Sequence, residues 1–114
     1  MSKQQRTRLY EGMYILKSTL GEEAHQKALE RIFGIITAQG GEVKKLFDMG
    51  RRRLAYEIKE NREGHYILIF FEAPSSGLVE INRENGFHED LLRSMIITAE
   101  EVPEEISFKQ LVQV

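Results

Sequence analysis

Tyr66-Ile67-Leu68-Ile69-Phe70-Phe71 is an uninterrupted aromatic and aliphatic run, closed by Pro74. A strand that is apolar on both alternating faces belongs inside a sheet, because an edge or a wet face would strand its side chains in water. A second such run lies in Leu9 to Lys17, with Tyr10, Met13, Tyr14, Ile15 and Leu16. Two further extended stretches accompany these central strands. Glu42 to Ile58 carries Val43, Leu46, Phe47, Leu54, Tyr56 and Ile58, with Gly50 as a natural bulge point. Leu91 to Ala99 is the last.

Two helices are written between the strands. Ala24, Ala28, Ile32, Ile35 and Ile36 recur at helical spacing, behind Ser18 or Thr19 as caps and Glu22-Glu23 at the positive end. Gly40-Gly41 ends that helix. Ser75 or Ser76 opens the second, which carries Leu78, Val79 and Ile81 and is weakened by Asn82, Asn85 and Gly86. The polar stretch Lys59 to Gly64 reads as a hairpin loop.

The order is therefore βαββαβ. Right-handed crossovers and a hairpin-linked middle pair are met together by one arrangement: an α+β, ferredoxin-like split βαβ sandwich. It predicts a four-stranded antiparallel sheet, first and third strands central, both helices on one face. Residues 8–99 form this domain, residues 1–7 a basic N-terminal extension, and residues 100–114 a C-terminal tail with no assigned structure.

Composition removes several functions. The chain has 114 residues and no cysteine, so disulfides, thiol nucleophiles and thiolate zinc sites are out, and a reducing interior fits. No apolar run reaches the length of a membrane span and Met1 to Arg8 is too polar for a secretion signal, so a soluble cytoplasmic protein is expected. His25, His65 and His88 fall in different elements without ligand spacing, so no metal or other cofactor is expected. No nucleophile elbow, phosphate-cradling loop or H-E-x-x-H occurs, and no enzymatic activity or small-molecule substrate is expected.

The net charge of −2 is unevenly spread. Lys44, Lys45, Arg51, Arg52, Arg53, Lys59 and Arg62 face only Asp48, Glu57 and Glu60 within their stretch, while Glu100, Glu101, Glu104 and Glu105 crowd the tail. In the strand Gly50 to Ile58, alternation sends Leu54, Tyr56 and Ile58 one way and Arg51, Arg53, Ala55 and Glu57 the other. If the apolar set meets the helices, Arg51 and Arg53 stand on the open face or edge, with Arg52 escaping to the rim beside the bulge. Guanidinium groups suit phosphates and stack on bases. The alternative is a solvated edge protected by charge. Tyr14 and Tyr66 are expected in the core; Tyr10 beside Arg8, and Tyr56 beside the arginines, are the exceptions expected to meet RNA.

Arg8-Leu9-Tyr10-Glu11, Gly50-Arg51-Arg52-Arg53-Leu54-Ala55-Tyr56-Glu57-Ile58, Gly64-His65-Tyr66 and Glu89-Asp90-Leu91-Leu92-Arg93 resemble, in order and spacing, the bacterial small-subunit ribosomal protein six family. The resemblance spans Arg8 to Thr98. It implies a structural constituent of the small ribosomal subunit that binds the central domain of small-subunit (16S) ribosomal RNA together with small-subunit ribosomal protein eighteen. Carried over by position, the RNA or partner contacts are Arg8, Tyr10, Arg51, Arg52, Arg53, Tyr56, Arg83 and Arg93. Glu57 stands where the family often has proline, Asn85-Gly86 where the second helix often has arginine, and the tail is not polyacidic. Two other classes share the fold: a free-standing RNA-recognition module and a small-molecule regulatory or acylphosphatase-like domain.

Overall fold

A computed structural model describes residues 6–105 of the chain. Its elements are β1 (Thr7–Lys17), α1 (Glu22–Ala38), β2 (Glu42–Ile58), β3 (Asn61–Pro74), a single 3-10 turn (Ser75–Gly77), α2 (Leu78–Asn85) and β4 (Leu91–Thr98). The sheet is antiparallel, in the order β2-β3-β1-β4, so β1 and β3 are central as their two-sided apolar character requires. Both helices cover one face, and the architecture is the ferredoxin-like split βαβ.

Local details differ from the sequence expectation. Neither Ser18 nor Thr19 caps α1: Gly21 holds the N-cap position, without a side-chain bond. Gly40, at φ +81°, makes the left-handed turn that ends α1. The expected six-residue loop between β2 and β3 is a two-residue turn, Lys59-Glu60, both at positive φ. Such turns match the right-handed twist of the strands they join.

The core has two parts. On the helix face, Tyr10, Tyr14 and Leu16 of β1 and Ile67, Ile69, Phe71 and Ala73 of β3 pack on Ala28, Ile32, Ile35 and Ile36 of α1 and Ile81 of α2. On the other face, Ile15, Tyr66 and Leu92 are covered by Leu54 of β2, with Met13, Met49 and Ile58 alongside. That second cluster exists because β2 overruns the sheet. Gly64 lies opposite Lys17 at the end of β1; beyond this pair the β2–β3 hairpin continues without a third strand beside it. A two-stranded ribbon twists strongly, and the register shift between Arg53 and Ile58 adds a bend. The ribbon curls over the open face and closes it at one end.

This curl reverses the expected facing of the arginine strand. Leu54 and Ile58 point to the open-face cluster, not to the helices. Arg52 pairs with Gly64 and shares their side, whereas Arg51, opposite His65, and Arg53, opposite Glu63, lie on the helix side. The apolar residues were claimed by a second small core that alternation alone does not reveal.

Candidate nucleic-acid interface

The arginine ribbon is held by two devices. The first is the bulge at Gly50, where φ is +80° and the Asp48 carboxylate accepts a bond from the Gly50 N–H at 3.0 Å. The second is Leu54, buried on the open-face cluster and anchoring the strand immediately after Arg53. Between these fixed points Arg51, Arg52 and Arg53 are all exposed. Arg51 stands 3.8 Å from Glu63, and Arg62 is 4.0 Å from Glu57. Exposed pairs this loose contribute little, so either arginine can exchange its carboxylate for a phosphate at small cost. Among the described residues Arg53 has no carboxylate partner within salt-bridge distance, and it lines a groove of about 400 Å³ with Ser18, Thr19, Asn61 and Arg62, alongside the carboxylates of Glu60 and Glu63. Hydroxyl, amide and guanidinium groups lining one concave surface are the donors that bind a phosphate backbone.

Tyr56 is 57% exposed, at the rim of the groove that the curl forms over the open face. The guanidinium of Arg93, on β4, lies 5.4 Å from its ring centroid and donates to its hydroxyl. A ring presented this way offers a flat surface beside positive charge, as a stacked base requires. Between them runs an apolar groove of about 310 Å³, lined by Met13, Ile15, Leu54, Ile58, Tyr66 and Met95 among others.

The remaining expected contacts are not gathered here. Tyr10 is 2% exposed and packs against Phe71 at 5.6 Å between centroids. It sits on the helix-facing side of β1, so its ring belongs to the core, and the exception made for it is corrected. Arg8 is exposed at the far end of β1, opposite Ala73, roughly 26 Å along the strand from the level of Arg51 at about 3.3 Å per residue. Arg83 is engaged by Glu80 at 2.8 Å and Glu84 at 3.2 Å on its own helix. Lys3, in the basic extension, lies outside the described residues, as does the tail from residue 106 on.

The sequence missed one constellation. The rings of His25 of α1 and His65 of β3 meet at 4.5 Å between centroids, tilted by 43°, and His65 Nε2 donates to Asp48 Oδ1 at 2.6 Å. Burial, followed by the neighbouring His65, lowers the pKa of His25. For Asp48, burial acts upward but is outweighed by the bonds from His65 and Gly50, and its carboxyl is lowered. His25 and His65 do fall in different elements, as expected, and the fold brings them into contact.

The sequence profile of the family described as ribosomal protein S6 matches residues 9–98 of the chain. A Protochlamydia amoebophila protein named small ribosomal subunit protein bS6 is 52% identical over 103 residues, 90% of each chain. One of the same name from Chlamydia caviae is 43% identical over 109 residues, 96% of this chain and 97% of that one. The crystal structure of 30S ribosomal protein S6 from Thermotoga maritima superimposes with a TM-score of 0.75 at 30% identity, covering 82% of this chain and 89% of the other.

Proposed function

The chain belongs to the ribosomal protein S6 family, a structural and non-enzymatic component of the ribosome, and from that premise we propose that it binds the central domain of small-subunit ribosomal RNA together with small-subunit ribosomal protein eighteen, as part of the cytoplasmic small subunit. The observation that carries the RNA half of this reading is the arginine ribbon, where Arg51 and Arg52 stand exposed level with the last two β1 pairs and Arg53 and Arg62 stand exposed on the overhang beyond them. Cations on a stiff ribbon neutralise phosphates without first being ordered, and the counterions they release supply much of the affinity.

The protein half is supported by the apolar groove under Tyr56 and Arg93, continued by Met95 and Ile97, exposed at 49% and 53%. An apolar strip rimmed by arginines and a tyrosine has the composition of a protein-protein contact. The basic ribbon and the apolar strip adjoin, so an RNA junction and a second protein can be held at once. No helix among the described residues is long and apolar enough to cross a membrane. Sedimentation of cell lysate tests the reading: the tagged chain should travel with small subunits in low salt and leave them in high salt. Its absence from the small-subunit fraction in low salt would overturn it.

A further inference from the structure

We propose that His25, Asp48 and His65 form a binding site for one divalent transition-metal ion of the zinc type, clipping α1 to the base of the arginine ribbon. The ligand atoms come from three elements. His25 lies in the first turns of α1, Asp48 at the β2 bulge, and His65 on β3, and one ligand atom of each lies within 4.8 Å of the other two. In tetrahedral coordination with metal–ligand distances of about 2.0–2.2 Å, ligand atoms stand roughly 3.3 Å apart. Closing from the observed spacing needs side-chain rotation and no movement of the sheet.

The donor set selects the metal. Two imidazoles and one carboxylate suit zinc, cobalt or nickel, whereas magnesium and calcium call for oxygen ligands. Three protein ligands leave a fourth position for water. The site is also oriented from outside, since the Asp48 carboxylate is held by the Gly50 N–H at 3.0 Å, the kind of supporting bond that fixes a metal ligand. His25 and His65 are both partly buried, which limits the competition from bulk water. Arg51, opposite His65, is the nearby opposing charge, and Glu63 at 3.8 Å offsets it.

This site is separate from the proposed RNA contacts but adjoins them. Arg51 follows the bulge that carries Asp48, so a metal bound there would stiffen the segment from which the ribbon springs. Nothing in phosphate binding calls for two imidazoles in contact on the covered face.

The test titrates the full chain with zinc alone, by calorimetry and by thermal unfolding with and without chelator, and records histidine ring NMR signals. The expected result is one ion per chain, a melting temperature raised by zinc and restored by chelator, and shifts at His25 and His65 with His88 unmoved. H25A and H65A should each weaken binding at least about tenfold, or 1.4 kcal/mol. H25A changes a partly buried position near the start of α1, and circular dichroism should show it folded. Cobalt should give a visible ligand-field band in the wild type that H25A lacks. An unchanged melting temperature and unchanged ring signals in excess zinc would overturn the proposal. Undiminished binding by H25A and H65A would do so equally, because the ion would then sit elsewhere.

Discussion

Arg93 and Tyr56 touch although they belong to the two outermost strands of a four-stranded sheet, with the guanidinium carbon 5.4 Å from the ring centroid. In a flat sheet β3 and β1 would keep them apart. Their contact records how far the free end of the β2–β3 ribbon has curled, and it latches that curl above Leu54, Tyr66 and Leu92.

The latch has a measurable energy. A cation–π contact at an exposed position is worth about 0.5–1 kcal/mol. A double-mutant cycle of Y56A and R93A in urea unfolding should show coupling of that size, whereas Y56F should keep the stacking and lose only the hydroxyl bond. Additive single mutants would mean that the contact is incidental.

Gly64 is where the ribbon leaves the sheet. A Cβ built there would lie 2.3 Å from Ile15 Cγ2 and 3.3 Å from Leu54 Cδ2. G64A should therefore cost about 1–3 kcal/mol of stability through overpacking. It should also lower the affinity for RNA more than a core mutation of equal cost, because it displaces the anchor of the arginine strand. Equal effects on RNA binding from G64A and a matched core variant such as I81V would contradict this role.

Glu11 provides a pH signature. It pairs with Phe70 and Ile97 on the open face, and burial raises its carboxyl above the ordinary 4.5. The folded state then holds this proton more tightly than the unfolded state, so stability contributed at Glu11 falls as pH rises from 4.5 through the raised value. E11Q should be at least as stable as wild type at neutral pH, and the difference should vanish below pH 4.5. Asp48 has the opposite sign: its lowered carboxyl contributes stability above its ordinary 3.8 that is lost on further acidification. Denaturant midpoints across this range check both, and an E11Q variant less stable than wild type at neutral pH would refute the first.

The fold was legible because its strongest signals were local. Two strands apolar on both phases had to be central, and two helical stripes had to cover one face. The facing of the arginine strand was not legible. Register shifts at Val43/Lys45 and Asp48/Gly50 each change which residues share a face, and a one-residue slip inverts the whole pattern. Gly50 signalled one bulge; nothing in sequence alternation signalled that Leu54 and Ile58 would build a second core beneath an overhanging ribbon. Arg8 and Tyr10, two residues apart on β1, share a face, yet Arg8 is exposed near the end of the strand whereas Tyr10 is 2% exposed in the helix-face core, so the character of the one did not predict the setting of the other. His25 and His65 meet only because α1 packs across β3, a long-range contact that no spacing rule encodes.

The central claim is that exposed guanidinium groups on the ribbon displace counterions from small-subunit ribosomal RNA. It is tested by measuring the affinity of wild type and of R51A/R53A for the central-domain RNA over a range of salt concentrations. Each phosphate contact contributes a slope of about −0.7 to −0.9 in log affinity against log salt. The double variant should bind more weakly at low salt and lose roughly 1.4–1.8 from the slope, two contacts' worth. Equal affinity and an equal slope in both proteins would contradict the account.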